Sequence, residues 1–580
     1  MLLKKIRSTL LQPLSLLFLL IGLSVAISCR TPVAPTAQRG GTLSYRVSSP
    51  PQTFNYLKAA DESTLIVAFY LLGGRLIEFD HQEQRYVPGL AESWKPLDDG
   101  RTLEVILRPD LKFSDGHPIT AEDVQFTFQA IYDDRTPSPI FRNAMIINGQ
   151  PIEVSSSEPR RLRLVFPESI AIPENYLSNL AVLPRHILER DLKEGSLRNA
   201  YGLTANPQQI VTSGAFTAKA VVPGERITLR RNPYYWKKDG AGASLPYLDE
   251  MVIEIVSDAN NALVRLQQGT LGIYDRIRPA DYAALRAQRG SVQVFDSGPG
   301  LNTDYFWFNL NTGEREGKPI VNPVKHTWFS DVRFRRAVSS AIDRENIAST
   351  TLQGLATPLY GFVSPGNRAW VAKDLPRTAY DLEKARALMR EAGFTLRDAQ
   401  DGPELSDAKG NRVELTMIVP AESQPRMQMA AVVQQDLAKL GIKIQIAPIE
   451  FGELLRRISQ SYDYDAALLG AITSEPDPSS YVNLLRSSSS SQHWHPKQAR
   501  PETAWEARID ELLGAQARES NVDRRRAIFH EIQTILSDQL PVIPLVARHL
   551  ASAANRNINN YKPSVLLPYS LWNSEELSIR

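Results

Sequence analysis

The chain has 580 residues, 43% of them hydrophobic and 22% charged, and a formal charge of +2 at pH 7. That length points to several domains, because single cores stop growing at roughly 250–300 residues. The near-neutral balance excludes the clustered positive charge of a nucleic-acid footprint. The single cysteine excludes an internal disulfide, a Cys-x-x-Cys redox pair and a multi-thiolate zinc site.

The chain opens with Lys4, Lys5 and Arg7, and an apolar run over 14–27 follows that ends in small residues. The run is shorter than the ~20 residues a helix needs to span a bilayer. This is the build of a secretory signal peptide over 1–28. Ala26-Ile27-Ser28-Cys29 resembles the lipobox of bacterial lipoproteins, with Ala26 where Leu is usual. The resemblance implies a cut before Cys29 and attachment of several acyl chains, since one alone anchors only marginally. Such a cut takes the formal charge from +2 to −1. A retained membrane anchor and a buried free thiol are the alternatives. Residues 29–41, rich in Pro, Gly and small side chains, read as a lipidated flexible tether. No second run of about 18 apolar residues follows, so the body is expected to be soluble.

Residues 41–47, GTLSYRV, alternate as a strand does. Leu103, Val105 and Leu107 do the same, between turn signals at Asp98-Asp99-Gly100 and Asp115-Gly116. Thr120 and Asp123 form a capping box ahead of a helix carrying Val124, Phe128 and Ile131. Pro223-Gly224 predicts a hairpin turn. Phe334, Ala337, Val338, Ala341 and Ile342 share a helical face, with Ser330 as N-cap. A further helix is capped by Asp381 and stopped at Gly393. Val413–Val419, Met427–Leu440 and Ile442–Ile446 then read as a βαβ unit, with a largely parallel sheet and a right-handed crossover. Residues 487–491 read as a surface loop, and residues 523–546 as a helix running into a Pro-bounded strand. Helices and strands mix throughout, which gives an α/β protein of more than one lobe.

Five stretches in this order carry a family likeness: LAESWKPLDDGRTLEVILRPDLKFSDGHPITAEDV, TSGAF…VPGERITLRRNPYYW, FSDVRFRRAVSSAIDRENI, YDLEKARALMREAGF and QQDLAKLGIKIQI. Together they resemble the family 5 extracellular solute-binding proteins, the dipeptide, oligopeptide and nickel binders of ABC importers. The likeness runs from about Gly41 to the C-terminus. It implies a two-lobed α/β periplasmic binding protein (type II, cluster C-like) with a hinge and an extra domain in the first lobe. The expected division is lobe I over 42–75, the extra domain over 76–200, lobe I again over 201–300, lobe II over 301–544 and a return to lobe I over 545–580.

The likeness also implies where a ligand would sit. In oligopeptide binders a Gly-Trp-x-x-Asp stretch supplies an aspartate for the peptide's α-ammonium, a charge-assisted pair suited to a closed cleft. The matching residues are Gly470, Ala471, Ile472, Thr473 and Ser474, so Ala471 and Ser474 replace the tryptophan and the aspartate. Glu475 or Asp477 could serve the amine instead, although Asp477-Pro478 also reads as a structural turn. On the first lobe Ala60, Asp61 and Glu62 fall near the family's ligand loop, or form a solvated acidic turn. Phe306, Trp307 and Asn309 read as core. His493 and His495 raise a metal site, but the ligand count is short.

Gly-x-Ser-x-Gly, His-Glu-x-x-His and phosphate-loop motifs are all missing. The expectation is therefore not an enzyme but a substrate-binding lipoprotein of an ABC importer. It would capture peptides or peptide-like solutes, without a cofactor, as a monomer anchored through Cys29 on the outer side of the cytoplasmic membrane. Its partners would be a permease and an ATPase. A nickel, metal-chelate or other small-solute binder, a peptide sensor or chaperone without transport, and a lipid-anchored hydrolase are the other readings.

Overall fold

The computed structural model describes residues 39–97, 100–147, 149–288, 290–400, 402–471 and 475–580. The signal segment, Cys29, most of the tether, Asp98, Asp99, Ile472, Thr473 and Ser474 lie outside the described residues.

Two long strands organise the molecule. Val292–Phe308 and Ile543–Asn555 pair antiparallel, from Val292 opposite Asn555 to Phe306 opposite Ile543. At one end Ile273–Asp275 joins them, and beyond it lie Thr42–Val47, Glu250–Ile255, Arg226–Arg231 and Phe216–Val222. At the other end come Ala466–Ala471, Glu414–Pro420 and Lys443–Ile449. One sheet thus serves two lobes, and among the described residues two strands cross between them. The pairing slips between Asp296 and Thr303, where the crossing strands pass from lobe to lobe. Slipped pairing removes ladder hydrogen bonds and makes this stretch the natural hinge.

The sequence explains why the far half of the first crossing strand is apolar without a break. Successive side chains of a strand point to opposite faces. Phe306 and Phe308 enter the core beneath the helices Val332–Ser340 and Gln424–Ala438, while Tyr305 and Trp307 enter the core beneath Ala504–Arg518 and Val522–Gln539. Both faces are covered, so all four residues are buried. Asn309 is buried just beyond them and donates to the carbonyls of Tyr462 and Tyr464 at 2.8 and 3.0 Å.

A second sheet, Ala91–Pro96, Thr102–Leu107, Arg161–Val165 and Glu153–Glu158, stands apart with its own core. Leu103, Val105 and Leu107 bury one of its faces against the helix Ala121–Tyr132. Asp123 closes that helix as expected: its carboxylate accepts from the Thr120 backbone N–H at 2.8 Å. This is the extra domain of the first lobe.

The βαβ unit forms where the sequence places it, with Glu414–Pro420 parallel to Lys443–Ile449. The sheet as a whole is mixed, because both crossing strands run antiparallel to their neighbours. One cap moves. Ser330 ends the preceding helix Pro323–Ser330, and Asp331 caps Val332–Ser340 by accepting from the Arg333 N–H at 2.8 Å. Aspartate one position on offers a charged acceptor to the helix start, which outweighs a serine. The serine run is also less loop-like than expected at its start, since Ser487 is buried and its N–H bonds Asp510 at 3.0 Å. No helix among the described residues is long and apolar enough to cross a membrane.

Candidate functional site

Charged and polar side chains of the interlobe cleft gather around a cavity of about 270 Å³. Three parts of the chain wall it. One supplies Tyr70, Arg75 and Lys237, together with the C-terminal stretch from Leu566 to Trp572; the segment around the second sheet supplies Tyr86, Asn175 and Asn179; the chain just after the strand Ala466–Ala471 supplies Glu475 and Pro476.

Close backbone packing sets the first-lobe wall. The π-helical stretch Leu65–Leu71 ends against residues 213 and 214. Gly74 donates to Ser213 Oγ at 2.9 Å, and Ser213 Oγ donates to the Val182 carbonyl at 2.8 Å. A Cβ on Gly74 would lie 2.5 Å from the Ser213 carbonyl oxygen, so only glycine allows this approach. The Thr-Ser-Gly stretch thereby fixes the residue that follows Gly74, which is Arg75. The hairpin of Ile77–Asp80 and Arg85–Pro88 then carries His81 and Tyr86 into the cleft.

The charges of the wall are arranged in two groups. Lys237 bridges Glu78 at 2.8 Å and Glu575 at 2.6 Å. Burial opposes its charge, but Glu575 and Glu78 outweigh that and raise its pKa well above the usual lysine value. Burial alone would lift the Glu78 carboxyl, yet Lys237 and Arg75 hold it below the carboxylate range. Across the cavity stands Glu475, with no cation paired to it among the described residues. It accepts from Asn179 Nδ2 at 2.9 Å, a bond that joins the second lobe to the extra domain. Burial pushes its carboxyl above the ordinary value, and nearby Asp477 adds to this against the Asn179 bond.

His81 divides the cleft. Its ring stacks on Trp572 at 5.2 Å and 6°, and its Nδ1 lies 2.9 Å from Ser564 Oγ. Burial, helped by Arg75, pushes its pKa down to about 3, so the imidazole is neutral. Beyond this pair a second cavity of about 440 Å³ runs to the hinge at Ser297 and Pro299. Its rim is closed by Gln84 Nε2 donating to the Gly366 carbonyl at 3.0 Å and by Arg368 donating to the Gln82 carbonyl.

Of the residues singled out in the sequence, Glu475 lines the cavity. Asp61 instead caps a short helix, accepting from Thr64 N–H at 2.8 Å and Thr64 Oγ1 at 2.6 Å. Glu62 pairs with Arg276 and accepts from Tyr569 Oη at 3.1 Å. Ala60 is exposed, and Ala471 is buried opposite Thr303. None of these four is among the cavity-lining residues. Asp477 is structural: it grips Arg525 at 2.7 and 2.8 Å and caps the turn Pro478–Tyr481. His493 stacks on Trp307 at 4.5 Å and shares a 2.8 Å hydrogen bond with Tyr305 Oη. His495 lies 3.7 Å from Glu502. Among the described residues no three His, Cys, Asp or Glu side chains gather closely enough to hold a metal ion.

Two lobes on crossing strands, with a polar cavity walled from both, define a bilobal solute receptor. Residues 85–493 match the bacterial extracellular solute-binding proteins, family 5 Middle. A probable ABC transporter-binding protein of Deinococcus radiodurans is 30% identical over 75% of this chain and 73% of its own length. Di/tripeptide-binding protein 3 of Pseudomonas aeruginosa is 27% identical over 85% of this chain and 87% of its own. The ABC transporter substrate-binding protein CtaP of Listeria monocytogenes shares the fold, with a TM-score of 0.73 at 22% identity, covering 93% of this chain and 100% of that one. The chain belongs to the family 5 bacterial extracellular solute-binding proteins. It binds a solute outside the cytoplasm and is not an enzyme.

Proposed function

We propose that this protein captures short peptides or peptide-like solutes in the interlobe cavity and hands them to an ABC permease, whose ATPase supplies the energy. The observation that carries the reading is Glu475, a carboxylate brought to the cavity wall with only the neutral amides of Asn179 and Asn175 as side-chain hydrogen-bonding neighbours among the described residues. A peptide ammonium would complete it with a charge-assisted bond in a water-poor site. The peptide-binding names of the relatives support the same ligand class. The division into lobe I (42–75, 201–300, 545–580), extra domain (76–200) and lobe II (301–544) belongs to this reading. It is supported by the separate cores, although the extra domain's core also draws Tyr56 and Phe69 from before residue 76. Attachment through lipidated Cys29 would keep a monomeric receptor beside its permease and raise its local concentration there.

Thermal-shift screening against di- to octapeptides, amino sugars and Ni²⁺ tests the ligand class. Stabilisation by peptides is expected, and no shift with any peptide would remove the assignment. Glu475→Gln should weaken peptides with a free amino end by about tenfold or more and leave N-acetylated ones unchanged. Because burial raises the Glu475 pKa, free-amine peptides should also bind less well as pH falls through that raised value, where the carboxyl takes up a proton. Cys29→Ser should move the protein from the membrane to the soluble fraction, and size-exclusion chromatography reads the oligomeric state.

A further inference from the structure

Among the described residues, the cavity is lined by one cation without a hydrogen-bonding partner. Lys237 is bound by two carboxylates, and Lys562 lies 3.6 Å from Glu576. Arg75 also lines the cavity, yet its guanidinium makes no hydrogen bond or ion pair to any described residue. Its Nη1 is sealed from solvent and has no acceptor. The ring faces of Tyr70 and Phe69 hold the group in place, with centroids 5.2 and 5.7 Å from its central carbon. Ring faces orient a guanidinium without using its in-plane N–H donors. Glu78 lies within its field, but that carboxylate is bonded to Lys237.

A guanidinium has five donors in a rigid fork, and leaving them unmade inside a protein costs free energy. The fork matches the two oxygens of a carboxylate. We infer that Arg75 is the carboxylate subsite of the cavity, taking an anionic group of the bound solute with two parallel N–H···O bonds. This deepens the peptide reading and rests on it. Glu475 and Arg75 belong to different lobes and line the same chamber of about 270 Å³. A solute that satisfies both is short and zwitterionic. It also joins the lobes through its own two ends, so binding and closure become one event.

A peptide's C-terminus and an acidic side chain are the two sources of such a carboxylate, and titration calorimetry on the full mature chain distinguishes them. Dialanine, dialanine amide and alanyl-glutamate α-amide are the probes. Dialanine should bind at least about tenfold more tightly than its amide, as expected when a desolvated charge pair is lost. Recovery of affinity with alanyl-glutamate α-amide would assign the carboxylate to a side chain, and no recovery would assign it to the C-terminus. Either result supports the subsite. In Arg75→Gln the acid-to-amide ratio should fall to about one. Arg75→Lys, which keeps charge but not the fork, should narrow it. Equal affinity for acid and amide in the unaltered protein would overturn the inference whether or not any variant folds. So would an unchanged ratio in folded Arg75→Gln. In both cases peptide binding survives, and with it the proposed function. If none of the probes and no longer peptide binds, the peptide reading falls and this inference with it.

Discussion

Asp477 and Arg525 illustrate how a residue that looks functional can be structural. Their side chains are only 6% and 3% exposed, and two bonds of 2.7 and 2.8 Å join them. Arg525 also lies 5.2 Å from the Trp370 ring. Removing one partner strands a buried charge, so Asp477→Ala should cost roughly 3–5 kcal/mol in urea unfolding. Replacing both by apolar residues should cost much less. The buried imidazole of His493 gives a second expectation. Burial pushes its pKa down to about 4, against about 6.5 in an unfolded chain. The unfolded chain therefore binds the proton that the folded one refuses. Stability from this group is full above about pH 6.5 and falls as pH drops toward 4, by at most about 1.4 kcal/mol per unit. Asp275 and Glu475, raised by burial, slope the other way. Comparing His493→Gln with the unaltered protein isolates the histidine: the gap in unfolding free energy between them, from urea titration, should narrow by about 1 kcal/mol between pH 6.5 and 5.5. At this scale the sequence was only partly legible. Glu475 could be found because it follows a recognisable stretch after Gly470, and its position on the cavity wall is where the structure puts it. Arg75 could not, because an arginine beside two glycines carries no sign of what its guanidinium lacks. Asp61 and Glu62 read as exposed acids, and their partners Thr64, Arg276 and Tyr569 become visible only in three dimensions.

Elements were the most legible scale, because each depends on near neighbours. The capping box at Thr120, the turn at Gly224 with φ +72°, and the helix Leu382–Glu391 under Asp381 all follow from residues a few positions apart. The displaced cap at Asp331 has a local cause too: two short helices abut, and the pattern of the second alone does not show where the first stops. What local pattern does not show is length across the molecule. The crossing strand Val292–Phe308 contains Gly298, Pro299 and Gly300, which read as a break in a strand. They are the slipped part of a strand that continues. Gly470 belongs to the same arrangement. A Cβ there would fall 2.0 Å from the Thr303 carbonyl oxygen of the crossing strand. That neighbour is backbone and cannot swing aside, so Gly470→Ala should destabilise by about 3 kcal/mol or shift the strand. Chemical denaturation and ligand titration together distinguish these outcomes.

For the whole molecule, the described residues join the two halves through two crossing strands and a few bonds across the cleft. Asp304 sits on one crossing strand and holds Arg548 of the other at 2.6 and 3.0 Å, with Arg426 of the second lobe at 2.9 Å. The lobes meet across the cleft through Asn179 and Glu475, Gln84 and Gly366, and Arg368 and Gln82. Bridges this sparse leave room for a ligand to decide the balance between open and closed. A ligand that binds only the folded chain should add about 2.7 kcal/mol of stability at a hundredfold excess over its Kd, read as a rise in Tm. The two-lobed plan was legible because five ordered motifs carried it. The wall from Leu566 to Trp572 was not, since nothing in that stretch distinguishes a lining segment from an ordinary tail.

That stretch ties distant parts of the chain into one receptacle. The cavity needs the hairpin near residue 80 and also Trp572, which meet only in the folded molecule. Neither wall encloses a solute by itself, so capture depends on a long-range contact and not on any local motif.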